Sequence, residues 1–331
     1  LRDDENFKIL SIDGGGIKGL YSAVILADFE EKYGKISDHF DLICGTSTGG
    51  IIALGLAAGI PAKEIVNLYK TKGPTIFPEK KGVMKRFLEL KQGFFASKYS
   101  EDALKSALKD VFLDKKIGDC KTNVLIPTAN ITTGQPCIIK NNHSDGLERD
   151  NIHSLVDVAL ATTAAPTYFP IQEIPTMKTD HQYTDGGIFA NNPSLHGIQE
   201  AYKFFIKKNG HSYKNYSLLS ISTLHENFSF KQKLSYKKLS LRHWNVKLIS
   251  LMMDLQSVST DFHIHYLNST LNGTYERIKS EPLTEEESKL IGLDKAGKES
   301  IELLIKKGHE ASSKWIDKPV IQEFFNQYTK I

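Results

Sequence analysis

The stretch Phe40–Gly59, FDLICGTSTGGIIALGLAAG, sets a serine between two glycines, after a short apolar run and before a long run of small and apolar residues. Gly45-Thr46-Ser47-Thr48-Gly49 fits G-x-S-x-G, the nucleophile elbow, in which a sharp strand-to-helix turn lifts a serine hydroxyl out of a sheet. At so tight a bend, a Cβ on Gly45 or Gly49 collides with the neighbouring strand or helix. The other use of Ser47 is as a small residue that fits a turn. The flanks favour the elbow: FDLIC reads as a strand, and the small residues of IIALGLAAG let a helix lie close on the sheet. Ser47 is therefore the candidate nucleophile.

A serine nucleophile needs an oxyanion site and a base. Upstream, SIDGGGIKGL places Gly14, Gly15 and Gly16 between a strand and a helix start, where backbone N–H groups can converge on a developing negative charge. Lys18 adds positive charge or ties the loop down. Gly14, Gly16 and Gly19 also fit the dinucleotide fingerprint G-x-G-x-x-G, but that use needs an acid at the tip of the next strand, and here that tip is CGTSTGG. Downstream, YTDGGIFANNPSLHG sets Asp185 before Gly186-Gly187 and ahead of a helix capped by Asn191 or Asn192. Asp-Gly is also common in plain turns. Within reach of Ser47, the Asp185 carboxylate can take its proton directly as a dyad. A Ser-Asp-His triad is the alternative, with His225, just past the strand-like LLSIST, as the best-placed histidine. The residues alone leave the two open.

Around these segments, strand-like and helix-like runs alternate. FKILSI is followed by LYSAVILADFEEKYG, then by FDLIC and its helix; later come NVLIPTANI and PCIIKN about a Gly-containing turn, the helical IHSLVDVALATTAA, a helix after Asn192-Pro193, and the strand YSLLSIST. Alternation of this kind predicts a mostly parallel sheet covered on both faces. Residues 71–100 break the rhythm with Pro, Gly, basic and aromatic residues, and read either as a flap over the site or as a surface insertion with an aromatic anchor. Residues 1–224 form the catalytic core on this reading, and 225–331 a mainly helical part packed on the same domain. There Leu241, Trp244, Leu248, Leu251, Met252 and Leu255 recur at helical spacing among Lys237, Lys238, Arg242, His243 and Lys247. That pattern suits a core-packing helix with a solvated basic face, or a surface that approaches anionic lipid headgroups. Thr284…Glu287 is a capping box, and KESIELLIKKGHEASSKW reads as a further helix.

Composition is that of a globular chain: 331 residues, 40% hydrophobic and 24% charged, long enough for a sizeable core. A net charge of +3, from 42 basic and 39 acidic side chains, argues against a nucleic-acid polymer as partner. Cys44, Cys120 and Cys137 form no C-x-x-C pair or metal spacing, which suits a reducing compartment. The charged LRDDENF start is unlike a signal peptide, and no apolar run reaches the ~18 residues of a membrane span. Six N-x-S/T sequons, at Asn130, Asn142, Asn215, Asn227, Asn268 and Asn272, are weak evidence for secretion.

Taken together, SIDGGGIKGL, GTSTGG, ATTAAPTYFP and DGGIFANNP, in that order over about Phe7–Ala201, resemble the patatin-like phospholipases. The resemblance implies a three-layer α/β/α patatin fold with a mostly parallel central sheet, and a lipid acyl hydrolase of phospholipase A type that uses no metal and no cofactor. It implies Ser47 as nucleophile and Asp185 as its partner, against His225, and Gly14–Gly16 with Lys18 as the oxyanion hole. Asp13, Gly19, Gly45, Gly49, Gly186 and Gly187 support the motifs. ATTAAPTYFP becomes the wall of the site, with Pro166, Tyr168 and Phe169 as acyl contacts. Membrane phospholipid or galactolipid is the expected substrate of a cytoplasmic enzyme peripheral to the membrane when active. The compact size is similar to bacterial patatin-like anti-phage effectors switched on by cyclic nucleotides. A triad esterase of small esters and a non-enzymatic binding protein on the same scaffold are the competing functions.

Overall fold

A computed structural model describes residues 6–78, 97–144, 146–178, 180–208, 213–225 and 241–325, with the side chains of 241–247 outside the description. Along the chain run β1 (Asn6–Ile12), α1 (Gly19–Tyr33), β2 (Leu42–Gly45), α2 (Thr48–Ala57), α3 (Ala62–Ile76), α4 (Asp102–Phe112), β3 (Asn123–Asn130), β4 (Gln135–Lys140), α5 (Leu155–Thr163), β5 (Gln172–Glu173), β6 (Gln182–Asp185), α6 (Gly187–Ala190), α7 (Ser194–Phe204), β7 (Asn215–Ile221), α8 (Leu241–Leu271), β8 (Thr274–Ile278), α9 (Glu285–Leu290), α10 (Lys298–Trp315) and α11 (Pro319–Phe325).

β1 is buried on both faces beyond its first residue, as a central parallel strand must be. Its side chains alternate between two cores. Phe7 and Ile9 join Leu42, Cys44 and Leu218 against Ile198 and Ala201 of α7 and Ile264 of α8. Leu10 and Ile12 join Ile43, Leu219 and Ile221 against a larger layer drawn from α1 to α5, α10 and α11. The result is three layers, α/β/α.

The sheet runs β5-β6-β3-β2-β1-β7-β8, with β4 also on β3. The pairings among β3, β2, β1, β7 and β8 are parallel, and those of β4, β5 and β6 antiparallel. β3 organises the junction. β4 pairs with it from Leu125 to Asn130, so β2, opposite Asn123–Leu125, and β6, opposite Thr128–Asn130, must share the other edge. β2 runs with β3 and β6 against it, so their carboxyl ends meet head to head over the middle of β3.

The C-terminal part is more than a helical appendix. β8 adds a parallel strand beside β7, and Phe324 and Phe325 of α11 enter the main core, in ring contact with Phe40 and with Phe29 and Tyr33. Residue 224 therefore divides no core from another. The Thr284 capping box forms, with Glu287 N–H donating to Thr284 Oγ1 and Thr284 N–H to Glu287 Oε2. α3 carries the chain to Ile76, so the first residues of the 71–100 segment are helical; 79–96 lie outside the described residues, as do Lys237 and Lys238. The core-packing reading of the basic helix is corrected for α8: Met252 and Leu255 are more than half exposed, because the buried face of this helix is a different one, carrying Ser250, Met253, Ser257, Thr260 and Ile264.

Candidate active site

Ser47 sits where β2 gives way to α2, at φ 55° and ψ −124°, a setting that non-glycine residues rarely adopt. The bend holds because its neighbours leave no room for another path. A Cβ on Gly49 would come 2.3 Å from the Ile12 carbonyl oxygen, and one on Gly45 2.0 Å from that of Gly49. Two further bonds pin the turn. Ser47 N–H donates to Thr162 Oγ1 at 3.0 Å, and the Thr162 hydroxyl donates to the Pro127 carbonyl at 2.7 Å, tying the elbow to α5 and β3.

Asp185 ends β6, so the head-to-head meeting over β3 brings it to Ser47. The Ser47 hydroxyl donates to Asp185 Oδ2 at 2.6 Å, across 138 residues of sequence. Gly187 N–H donates to the other oxygen, Oδ1, at 2.6 Å, and Asp185 N–H donates to the Ala164 carbonyl at 3.1 Å. Burial pushes the Asp185 carboxyl up to about 7, against the pull of the Ser47 and Gly187 hydrogen bonds. His225 lies elsewhere in the bonding pattern: its Nδ1 is 3.5 Å from Asp254 Oδ1.

The glycine loop lies directly on the serine, an added Cβ on Gly14 falling 3.2 Å from Ser47 Cβ. Gly14 N–H donates to the Asn191 carbonyl and is spent there. Among the described residues, the N–H groups of Gly15, Gly16 and Thr48 have no partner. Gly16 requires φ +60° and passes so close to Leu293 that a Cβ would meet its carbonyl at 2.1 Å. The loop is anchored by Asp13, whose carboxylate receives both Arg277 guanidinium nitrogens of β8; both side chains are buried. Lys18 is buried under the loop. Burial pushes the Asp254 carboxyl up, but the Lys18 charge and His225 together hold it below the usual range.

Ser47 and Asp185 open onto one cleft with an apolar lining that includes Gly16, Ile51, Phe77, Leu104, Phe169 and Met253. Tyr168 also lines it, whereas Pro166 does not and is half-buried beside it. Phe77, Tyr99 and Phe169 pack ring on ring at 5.5–5.9 Å, so both described ends of the 71–100 segment stand at the cleft wall. Among the described residues, no three His, Cys, Asp or Glu side chains gather as a metal site, and no helix is long and apolar enough to cross a membrane. Thr162, Asn191, Met253 and Arg277 were not found by sequence reasoning. Asn191 stood in a quoted motif as a helix cap, and Thr162 stood in ATTAAPTYFP without a part assigned to it.

Comparison with known proteins decides the family. The sequence profile described as patatin-like phospholipase matches residues 10–196, more than half of the chain. The chain belongs to the patatin-like phospholipases. This patatin-like phospholipase is accordingly a lipid hydrolase. It is 34% identical over 321 residues to a cGAMP-activated phospholipase of Pseudomonas aeruginosa (strain BWHPSA011 / Pa011), covering 96% of this chain and 91% of that one. A cGAMP-activated phospholipase of Vibrio cholerae is 32% identical over 96% of this chain and 94% of its own. Patatin-like protein 2 of Arabidopsis thaliana is 32% identical over 92% of this chain and 83% of its own.

Proposed function

We propose that this patatin-like phospholipase hydrolyses fatty-acyl esters of membrane phospholipid through a Ser47–Asp185 dyad, and that cGAMP switches it on. The observation that carries the chemistry is the 2.6 Å hydrogen bond from Ser47 to a buried carboxylate at the floor of an apolar cleft. Asp185 Oδ2 takes the hydroxyl proton as Ser47 Oγ attacks the ester carbonyl. The oxyanion is met by the N–H groups of Gly15, Gly16 and Thr48, unpartnered among the described residues, which need no reorganisation as charge develops. Collapse breaks the ester C–O bond, and the lysolipid alcohol leaves with the proton that Asp185 had taken. Asp185 then deprotonates a water, which attacks the acyl-serine; the fatty acid departs and the proton returns to Ser47. The apolar lining suits the acyl chain, and the reading makes the enzyme peripheral to its membrane, with galactolipid as the other glycerolipid class that the site would admit.

Regulation is supported by the two bacterial relatives named for cGAMP activation, each of which is matched over more than nine-tenths of its length. The test is fatty-acid release from phospholipid vesicles by wild type, Ser47→Ala, Asp185→Ala and His225→Ala, with and without cGAMP. Loss of about 10³-fold or more in the first two variants, with His225→Ala active, is expected. A dead His225→Ala protein of normal stability would restore the triad, and full activity without nucleotide would remove the switch.

A further inference from the structure

Helix α8 is built inside out. Its buried face carries Ser250, Met253, Ser257, Thr260 and Ile264, while Met252, Leu255, Val258, Phe262 and Tyr266 are 51–74% exposed. At about 100° per residue these five fall within an arc of about 120°, a largely apolar stripe about 20 Å long that also carries the exposed Ser259. A helix that packs on a soluble core normally has the opposite arrangement.

We propose that this outward stripe is the surface through which the enzyme seats itself on a phospholipid membrane, with the catalytic cleft at its edge. The proposal rests on the lipid-hydrolase reading and names the face that meets the substrate. Continuity with the cleft is the first argument. Met253, between two members of the helix's outer face in sequence, lines the same cleft as Ser47, and Ile188, three residues past Asp185, is exposed on α6, which packs against α8. The charge pattern is the second. From Leu248 to Leu271 the only Asp, Glu, Lys or Arg residues are Asp254 and Asp261. Both are engaged away from the stripe, Asp254 with His225 and Asp261 with Tyr275 and Lys279. Exposed His263 borders the stripe on one side, and exposed His265 and Lys279 on the other. An apolar band with no unpaired acid on it, and imidazole and amine groups at its borders, matches acyl chains beneath polar headgroups.

The inner face shows what such seating would steady. Asn191 Nδ2 donates to Ser257 Oγ at 2.9 Å, and Asn192 N–H donates to Gln256 Oε1 at 2.9 Å. Asn191 is also the residue whose carbonyl holds Gly14 N–H. The helix thus bears on the glycine loop and on the segment after Asp185 together.

The test separates binding from chemistry. Ser47→Ala protein with cGAMP is co-sedimented with phosphatidylcholine–phosphatidylglycerol vesicles, alone and with Leu255→Ser, Phe262→Ser and Tyr266→Ser combined. These residues are exposed, so folding is expected to survive, and a thermal melt checks it. Vesicle binding should weaken by about tenfold or more. In protein with Ser47 intact, vesicle hydrolysis should fall in parallel, while hydrolysis of a soluble short-chain ester stays within about twofold of the parent. Unchanged vesicle binding overturns the proposal. So does unchanged binding with a reduced oligomer size, which would assign the stripe to a second copy of the chain. If the parent hydrolyses no lipid at all, the functional reading fails while the binding arm still answers for the surface.

Discussion

The Asp185 carboxyl is held in two minds by its surroundings. Burial favours its neutral form up to a pH of about 7, whereas proton abstraction from Ser47 needs the ionised form. The rate of acyl transfer should therefore rise with pH and level off above about 7, as a pH profile of kcat/KM on a soluble ester would report. Stability should run the other way. With a folded value near 7 and an ordinary carboxyl value of 3.8, the folded state holds a proton that the unfolded state has released between these limits. Unfolding free energy is thus lost progressively from about pH 4 to about pH 7, by about 4 kcal/mol at most. Asp185→Asn removes the charge and keeps both hydrogen-bonding positions. It should be inactive, yet melt several degrees above wild type at pH 8, and the gap should close as pH falls toward 4. A constant gap in calorimetry across that range would contradict the burial argument. Ser47 and Asp185, the members of the proposed dyad, could be picked out of the sequence because each sits beside glycines demanded by a tight turn. The part played by Thr162 was not legible: it lay in ATTAAPTYFP, but a threonine there looks like any other small helical residue until the fold sets it against the Ser47 amide.

The Asp13–Arg277 pair joins three strands, since Asp13 follows β1 directly, Arg277 lies in β8, and Ser220 of β7 also accepts from the guanidinium. Removing one partner strands the other charge in the interior, which costs far more than the pair contributes. Arg277→Met should destabilise by about 3–5 kcal/mol in urea titration, and adding Asp13→Asn should recover part of that loss. Additive losses would show that the two side chains act separately. β8 escaped sequence reading because TYERI is short and sets Glu276 and Arg277 together in its middle, and Arg277 looks like a surface residue until a buried carboxylate claims it. Helix α4 was a lesser oversight. Leu104, Ala107, Leu108 and Phe112 carry a helical period that was sufficient to find it. Helix α8 shows the limit of periodicity: its apolar stripe is plain in the sequence, but which side faces water depends on what Ser257 and Gln256 meet in the fold.

Across the whole molecule, the profile-matched segment 10–196 does not stand alone. β1 needs β7 along its edge, β7 needs β8, and the main core takes Leu304, Ala311, Ile321 and Phe324 from the last helices. A chain ending at Leu224 should express as insoluble or molten protein without a cooperative melt, and with no labelling of Ser47 by a serine-directed probe. A sharp thermal transition from that fragment would show that residues 1–224 fold without the C-terminal part. The family resemblance stopped near Ala201 because motifs mark chemistry, whereas the later strands and helices contribute burial, which many sequences can supply. One consequence concerns biosynthesis. Asp13 and its clamp lie 264 residues apart, so a ribosome must release most of the polypeptide before the loop over Ser47 is fixed. Stalled or proteolysed products that end short of Arg277 should therefore lack lipid-hydrolase activity, and the enzyme stays silent until its own translation is nearly complete.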